Sequence, residues 1–268
     1  MTTDFGLNDH FVGTMKGVIL DILPEAEIVD ISHAVQPFDV LDGALTVAQA
    51  YSYFPTGTVH MVIVDPGVGT ERRPILLSTG PHYFVAPDNG VLSLIYGSAE
   101  RVEVRHITAD HYFRQPVSNT FHGRDIFAPV AAYLAKRVEP MKFGEPIEDF
   151  VRFNAPKPKP VDANTLRGVV LKVDRFGNLV TNITPKEIPA LFQSGPPAFK
   201  LTVGKREVTA IRANYAEGTP NEVFAILGSM GYLEIAANRA SAAQIIGAGK
   251  GAEVMIALEG AAAAANGV

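Results

Sequence analysis

The chain has 268 residues and a net charge of −5, with 47% hydrophobic and 19% charged residues. This is the composition of a globular protein with one large or two smaller domains, and the charge argues against nucleic acid or an anionic membrane as main partner. There is no cysteine, which excludes disulfides, thiolate zinc sites and cysteine nucleophiles. No apolar run reaches the ~20 residues of a membrane span and no signal pattern opens the chain, so we expect a cytoplasmic protein.

Strand-like and helical patterns alternate in the first part of the sequence. Apolar residues recur at helical spacing over Phe11–Ile22, and a second helix opens at Pro37–Asp39. Glu27–Ile31 is expected to be a strand, and 59–64 is an apolar run rich in β-branched residues, typical of a strand buried on both faces. This alternation predicts a mostly parallel sheet flanked by helices.

A run of prolines and lysines divides the rest of the chain. Before it we predict strands Leu76–Ser78, Tyr83–Ala86 and Val102–Ile107 and helices Val91–Tyr96 and Ile126–Leu134. Residues 155–163 have the composition of a stiff, extended linker. After it, short strands between Gly- and Pro-rich turns predict a small antiparallel β-barrel, with strands Leu166–Asp174, Leu179–Thr184, Phe199–Val203, Glu222–Leu227, Leu233–Ala236 and Glu253–Leu258. The prediction is an α/β fold with domains 1–154 and 164–268.

Residues able to do chemistry follow the predicted strands. Asp65 comes directly after the strand 59–64 and before Pro66, so its carboxylate is expected at a carboxyl-end loop, where open α/β sheets bind ligands. Arg72 is near enough along the chain to fold back onto Asp65. His122 precedes a predicted helix, where backbone N–H groups and the helix dipole favour negative charge.

Three interpretations remain open from these residue types. A metallohydrolase would use Asp4, Asp9, Asp65 and His122 with His10, although no two-histidine helical motif is present. A nucleotide-phosphate enzyme is disfavoured because no glycine-rich phosphate loop follows the first strand. The third is a site for a ribose or amino-acid ligand, with carboxylates for hydroxyls and amines and aromatic rings for a flat base. The residues that supply these groups are Asp4, Phe38, Phe121, Asp174 and Asn178.

Several motifs, in their order along the chain, resemble one known family. They are the segments 3–6, 64–70, 120–125, 174–178 and 229–238. The sequence resembles the S-adenosylmethionine hydroxide adenosyltransferases, which hydrolyse S-adenosylmethionine to adenosine and methionine and are relatives of fluorinase and chlorinase. The resemblance covers essentially the whole chain. It implies S-adenosylmethionine as substrate, no cofactor, no metal, and a homotrimer whose sites lie between the first domain of one subunit and the second domain of its neighbour.

The resemblance also implies roles for individual residues. Asp65, Arg72 and His122 match the set that handles the attacking water. Asp4 matches the carboxylate that holds the ribose hydroxyls, and Phe38 and Phe121 match aromatic residues of the same pocket. The other matches are Asp174 and Ser229 for the methionine amine and carboxylate, Asn178, Asn238 and Arg239 for the adenine, and Asp9, Gly123 and Met230 as further substrate contacts.

Asp65 also separates the two branches of the resembled family. The halogenase pattern has Tyr at this position, and a carboxylate there would repel a halide by several kcal/mol at an effective dielectric near ~20. Gly123 is shared with the chlorinase pattern and does not discriminate. We therefore expect in-line attack of water or hydroxide at C5′ of the substrate. The alternatives are a halide adenosyltransferase and a non-catalytic sensor of S-adenosylmethionine or adenosine.

Overall fold

The computed structural model describes residues 1–193 and 195–259. The chain forms two compact units, which we name unit 1 (Met1–Ala155) and unit 2 (from Pro156 onward). Residues 260–268 of the predicted second domain lie outside the described residues. Within the described ranges, no helix is both long enough and apolar enough to cross a membrane.

Unit 1 is a six-stranded sheet with helices on both faces. Its strands are β1 (Thr2–Thr3), β2 (Val59–Ile63), β3 (Pro74–Ser78), β4 (Tyr83–Pro87), β5 (Glu103–His106) and β6 (Pro146–Ile147), in the spatial order β1-β2-β4-β3-β5-β6. Its helices are α1 (Phe11–Ile22), α2 (Val40–Ala50), α3 (Ser93–Ser98) and α4 (Ala128–Ala135), which continues a π-helical turn at Gly123–Phe127. Short 3-10 turns lie at Tyr51–Tyr53, Asp110–Tyr112 and Pro140–Lys142.

The sheet of unit 1 is mixed, so the prediction of a mostly parallel sheet is wrong beyond the first strands. β2 pairs in parallel with β1 and with β4. β3 pairs antiparallel with β4 and with β5, and β5 and β6 are also antiparallel. Residues 79–82 are too few for a parallel crossover, which needs about a dozen, so β3 and β4 form a hairpin. The predicted strand Glu27–Ile31 is not formed, and the next residue, Ser32, makes an isolated parallel bridge to Thr2.

β2 is buried on both faces, as its apolar run predicts. Met61 and Ile63 belong to the core that α1 and α4 share with the sheet. Val62 and Val64 belong to the core on the opposite face, which also contains Phe84. Because side chains alternate along a strand, a shift of one residue would exchange the two sets. Packing on both sides therefore fixes the register of β2 and the place at which the chain leaves it.

Unit 2 is a nine-stranded sheet. Its strands are β7 (Lys159–Pro160), β8 (Thr165–Val173), β9 (Leu179–Thr181), β10 (Phe199–Val203), β11 (Arg206–Val208), β12 (Ile211–Arg212), β13 (Val223–Leu227), β14 (Leu233–Ala237) and β15 (Glu253–Leu258). The spatial order is β11-β10-β15-β8-β9-β14-β13-β12, with β7 on β8. Unit 2 also has a short helix, α5 (Ala242–Ile246), and 3-10 turns at Pro189–Phe192 and Tyr215–Glu217.

The sheet of unit 2 is nearly all antiparallel but is not a closed barrel. Among the described strands of unit 2, only β12 and β13 pair in parallel. The end strands β11 and β12 have three and two residues and, within the described ranges, no ladder joins them. The predicted antiparallel character is therefore confirmed, whereas closure is not.

Part of the Pro/Lys segment 155–163 folds onto unit 2. Lys159–Pro160 pairs with β8 as β7, and Val161 N donates to Thr165 O at 2.8 Å. The second half of this segment is thus an edge strand, a position that tolerates proline because one side of the strand needs no N–H donor.

The buried imidazole of His60 in β2 makes the stability of the protein depend on pH. His60 is 3% exposed and stacks on Phe84 with the ring centroids 4.9 Å apart. Burial, with a smaller effect of His82, lowers the pKa of His60 from 6.5 to about 3. The unfolded chain therefore gains a proton that the folded chain does not, so this contribution to stability is complete above pH 6.5 and is lost as the pH falls from 6.5 toward 3.

Acidification below about pH 6 should lower the free energy of unfolding of the unmodified protein. In His60→Phe this decrease should be smaller, by up to about 1.4 kcal/mol per pH unit. Urea unfolding between about pH 7.5 and about pH 5 measures this slope. His111→Phe, at an exposed position, is the control and should keep the slope of the unmodified protein. An unchanged slope in His60→Phe would contradict the prediction.

Candidate active site

Asp65 and Arg72 form a two-point ion pair just beyond the end of β2. Arg72 Nε donates to Asp65 Oδ1 at 3.1 Å, and Arg72 Nη2 donates to Asp65 Oδ2 at 2.5 Å. The two side chains are only 5% (Asp65) and 8% (Arg72) exposed. Burial of two charges is tolerated here because each is neutralised and hydrogen-bonded by the other. Arg72 Nη1 is also buried and has no partner within the described residues, so its two N–H groups remain available to a bound molecule.

His122 joins this pair from the start of the π-helical turn. Arg72 Nη2 lies 2.7 Å from His122 Nδ1. Because a guanidinium can only donate, Nδ1 is the acceptor and the proton of the neutral ring is on Nε2. Burial is the main cause that lowers the pKa of His122, followed by repulsion from Arg72, while Asp65 and Asp125 act in the opposite direction. The imidazole is therefore neutral at pH 7 and held in one tautomer.

Asp4 leaves β1 on the same side of the sheet. Its Oδ2 accepts a hydrogen bond from the backbone N–H of Phe38 at 2.8 Å. Burial raises the pKa of Asp4, the Phe38 hydrogen bond opposes this effect, and repulsion from Asp65 adds to it. Phe38 has a φ of 66° and its side chain is 75% exposed. An exposed aromatic ring on a strained backbone indicates a binding surface rather than a core position.

The other predicted site residues of unit 1 lie in the core or at the surface. Phe121 is 8% exposed and packs edge-on against Phe11, with the ring centroids 5.3 Å apart. A Cβ at Gly123 would lie 2.8 Å from Met15 Sδ, so a larger residue at this position would require the Met15 side chain to shift. Asp9 is exposed. Phe121 and Gly123 thus have packing roles in unit 1, whatever contact they also make with a ligand.

In unit 2, Asp174 and Asn178 form one hydrogen-bonded turn between β8 and β9. Asp174 Oδ1 accepts the backbone N–H of Phe176 at 2.9 Å and of Asn178 at 2.8 Å. Asp174 Oδ2 accepts the side-chain amide of Asn178 at 2.8 Å. The structure therefore brings these two predicted residues together and fixes the orientation of the carboxylate.

The remaining predicted residues of unit 2 lie on two further loops. Ser229 is exposed and Met230 is half-buried in the turn between β13 and β14. Arg239 is exposed and has a φ of 55°. The side-chain amide of Asn238 donates to Gly218 O at 2.6 Å. Asn238 is therefore better able to meet a ligand through its backbone than through its amide.

Three residues of unit 2 that sequence reasoning did not single out lie near the Asp174 turn. Glu234 is 5% exposed and accepts the Tyr215 hydroxyl at 3.2 Å. Burial raises the pKa of Glu234, and repulsion from Asp174 adds to this, although the hydrogen bond from Tyr215 opposes it. Phe176 is 77% exposed within the turn. Two features of the sequence could have identified two of these residues. Glu234 is a lone acidic residue in the apolar strand β14, and Phe176 is a phenylalanine between arginine and glycine in a turn.

The side chains considered for a metallohydrolase do not gather into a metal site. Over residues 1–193 and 195–259, no group of three or more His, Asp or Glu side chains is placed to hold a metal ion. Asp65, which that interpretation needs as a ligand, has both oxygens hydrogen-bonded to Arg72.

Comparison with known proteins matches both units to domains of one family. The family model of the SAM hydroxide adenosyltransferase N-terminal domain matches residues 1–144, and that of the C-terminal domain matches residues 168–255. The (R)-S-adenosyl-L-methionine hydrolase of Salinispora tropica is 36% identical over 252 residues, 92% of each chain. A fluorinase of Nocardia brasiliensis is 28% identical over 270 residues, 90% of each chain. The crystal structure of an uncharacterized conserved protein from Thermotoga maritima has a TM-score of 0.89 at 38% identity, covering 96% of this chain and 98% of that one.

Gly69 sets the distance between the Asp65–Arg72 loop and the loop that precedes His122. Its φ is +80°, and a Cβ would lie 2.2 Å from the carbonyl oxygen of Asn119. Gly69→Ala should therefore add a left-handed backbone cost of about 1–2 kcal/mol to a backbone clash. We expect Tm to fall by at least about 3 °C and the NMR signals of the His122 ring to shift.

Gly67→Ala is the matched control for this prediction. The nearest side-chain atoms to a Cβ at Gly67 are 3.5 Å away, so alanine meets only ordinary contacts there. Thermal unfolding followed by circular dichroism compares the two variants. Equal Tm values for Gly69→Ala and Gly67→Ala would contradict the role assigned to Gly69.

Proposed function

The chain belongs to the SAM hydroxide adenosyltransferase family, and we propose that it is an enzyme that hydrolyses S-adenosyl-L-methionine to adenosine and L-methionine. The observation that carries the proposal is the buried Asp65–Arg72–His122 arrangement, in which a carboxylate occupies the position that is Tyr in the resembled halogenase pattern. The identity to a named hydrolase, 36%, against 28% to a fluorinase over similar coverage, supports the same branch.

In hydrolysis at C5′ the sulfonium is already a good leaving group, so the protein must act mainly on the nucleophile. The oxygen of a water molecule forms a bond to C5′ while the C5′–S bond breaks, and the electron pair of that bond converts the sulfonium into the neutral thioether of methionine. The leaving group therefore needs no acid. The protein must hold one water in line with C5′ and sulfur and must accept the proton that this water loses.

The hydrogen bonds support Asp65 as the group that accepts this proton. His122 Nδ1 is engaged by Arg72 and Nε2 carries the ring proton, so the neutral imidazole has no free lone pair and can only donate to the water. Each Asp65 oxygen accepts one N–H from Arg72 and keeps further lone pairs. We assign proton acceptance to Asp65, orientation of the water to His122 Nε2–H, and orientation of Asp65 to Arg72.

The charge of Asp65 also supports water rather than a halide as nucleophile. The halide adenosyltransferase is the alternative within the family, and it needs an anion where Asp65 has its carboxylate. Arg72 offsets part of the repulsion, but both Arg72 donors that face Asp65 are already used by the carboxylate. A neutral water avoids this repulsion and gains an acceptor for its proton.

The substrate contacts in the proposal follow the family resemblance. In unit 1, Asp4 accepts the ribose hydroxyls, and the exposed ring of Phe38 covers the nucleoside. Phe121, Asp9 and Gly123 line the same pocket. The residues of unit 2 that complete the proposal are Asp174, Ser229 and Met230 for the methionine end and Asn178, Asn238 and Arg239 for the adenine.

We further propose that the protein works in the cytoplasm as a homotrimer, without metal or cofactor. The trimer follows the family resemblance, and the support for a site shared between subunits is the distribution of roles along the chain. Asp4, Asp65 and His122, which act at the ribose and the water, belong to unit 1, and the residues assigned to the methionine and adenine ends belong to unit 2. In the proposed trimer, unit 1 of one subunit and unit 2 of its neighbour complete each site.

The purified protein should convert S-adenosyl-L-methionine to equal amounts of adenosine and methionine in the presence of EDTA, as followed by chromatography. Asp65→Asn removes the charge with little change of shape, so substrate binding measured by calorimetry should survive. Its kcat should fall by about two or more orders of magnitude, because the proton acceptor is lost. Asp149→Asn is the matched control, since Asp149 is also paired with an arginine but is 78% exposed, and it should keep full activity.

Each competing interpretation predicts a different result in this assay. Turnover that requires an added divalent ion favours a metallohydrolase, and tight binding without turnover favours a sensor. An unchanged kcat in Asp65→Asn would refute the assigned mechanism. Asp65→Tyr assayed with added chloride tests the charge argument, because 5′-chloro-5′-deoxyadenosine should then exceed the amount that the unmodified protein forms.

The proposed shared site predicts complementation between two inactive variants. Asp65→Ala removes a residue of unit 1, and Asp174→Ala removes a residue of unit 2, so mixed trimers contain some sites with neither change. Co-refolding the two variants should restore part of the activity that each lacks alone. Mixed trimers confirmed by mass spectrometry that stay inactive would contradict the shared site, and a monomeric mass of the unmodified protein in light scattering would contradict the trimer itself.

A further inference from the structure

A row of four polar side chains runs from the surface of unit 1 to the loop that follows β1. Lys16 Nζ lies 2.5 Å from Asp30 Oδ2, and Asp30 Oδ1 lies 3.0 Å from His33 Nε2. His33 Nδ1 lies 2.8 Å from Thr3 Oγ1, which accepts the backbone N–H of Phe5 at 3.2 Å. We name these side chains, Lys16, Asp30, His33 and Thr3, the Thr3 network.

The contacts of the Thr3 network define the direction of its hydrogen bonds. His33 Nε2 faces the Asp30 carboxylate in a close electrostatic contact that is not a linear hydrogen bond, so in the neutral ring this nitrogen carries the proton. Nδ1 then accepts from the Thr3 hydroxyl, whose oxygen is left to accept from Phe5 N–H. Burial lowers the pKa of His33, although Asp30 opposes this effect. A neutral His33 therefore gives the Thr3 hydroxyl a fixed orientation.

The inner part of the network is buried and lies on both sides of Asp4 in the sequence. Thr3 is 0% exposed and His33 is 5% exposed. The Thr3 hydroxyl holds the N–H of Phe5, and the backbone carbonyl of His33 accepts Gly6 N–H at 2.8 Å. The backbone before and after Asp4 is thus anchored to groups of the network. A buried threonine needed only for packing would be replaceable by valine, which has nearly the same shape.

We propose that Thr3, His33 and Asp30 are positioning residues that hold the Asp4 carboxylate where it meets the ribose hydroxyls of the substrate. This inference rests on the proposed function for the identity of the ligand. The network sets the backbone from Thr3 to Gly6, and this backbone sets the direction in which the Asp4 side chain leaves β1. The backbone N–H of Phe38 donates to Asp4 Oδ2 at 2.8 Å. The amide signal of Phe38 therefore reports a displacement of the Asp4 carboxylate.

Thr3→Val removes the hydroxyl and keeps the shape of the side chain. We expect KM for S-adenosyl-L-methionine to rise about 10-fold, the scale of one buried hydrogen bond, while kcat changes less than about 3-fold, because Asp65 and His122 are untouched. Thr3→Ser, which keeps the hydroxyl, should restore KM. Thr2→Val is the matched control, since this neighbouring threonine is also buried and its side chain points to the other face of the strand.

A double-mutant cycle separates positioning from a general loss of stability. If Thr3 acts through Asp4, Thr3→Val should raise KM little further in the Asp4→Asn background, whereas independent effects would multiply. Asp30→Asn and His33→Phe should raise KM in the same direction as Thr3→Val. Multiplying effects in the cycle, or an unchanged KM in Thr3→Val, would overturn the inference.

NMR tests the same inference without turnover. The amide signal of Phe38 in the free protein should shift in Thr3→Val and stay unchanged in Thr3→Ser and Thr2→Val. A shifted Phe38 signal in a protein that does not hydrolyse S-adenosyl-L-methionine would leave the positioning role intact and refute the proposed function. A Phe38 signal that is the same in all three variants would refute the positioning role.

Discussion

The buried ion pair between Asp65 and Arg72 is the interaction on which the rest of unit 1 depends. Loss of one partner of such a pair leaves an uncompensated buried charge, at a cost of about 3–5 kcal/mol, so the surrounding backbone must bring both groups to their places. The rigid β2 delivers Asp65, and the glycine-rich turn returns the chain to Arg72. Arg72 Nη2, which also donates to Asp65, then reaches His122, 50 residues further along the chain. A single guanidinium thereby sets both the carboxylate and the imidazole.

Parallel pairing of β1 with β2 explains why two carboxylates meet at one edge of the sheet. Thr3 pairs with Ile63 in register, so the chain leaves both strands at the same level and in the same direction. Asp4 and Asp65 follow these strand ends, and their repulsion is one cause of the raised pKa of Asp4. The proposed site follows the rule that open α/β sheets bind ligands at the carboxyl ends of their strands, even though only the first strands are parallel.

Patterns local to the sequence predicted much of this arrangement, and contacts between distant segments were the part they could not supply. The apolar run before Asp65 identified β2 and its two buried faces, and the residues around His122 placed it at a helix start. The sequence predicted β3 and β4 as two strands but not their antiparallel pairing in a hairpin. The sheet was therefore predicted with more parallel pairs than it has. The contact of Arg72 with His122 depends on tertiary packing, as does the pairing of His33 with Thr3, and spacing along the chain encodes neither.

The chemistry of the substrate explains why a carboxylate belongs next to the attacking water and not next to the sulfur. The sulfonium loses its positive charge as the C5′–S bond breaks, so a carboxylate close to sulfur would stabilise the reactant more than the transition state and would slow the reaction. In-line attack places the water and the sulfur on opposite sides of C5′. A base that touches the water therefore lies on the side of C5′ away from the sulfonium, and its charge acts on the proton that the water loses. In the proposed mechanism Asp65, held by Arg72 and next to the His122 donor, meets this requirement within unit 1.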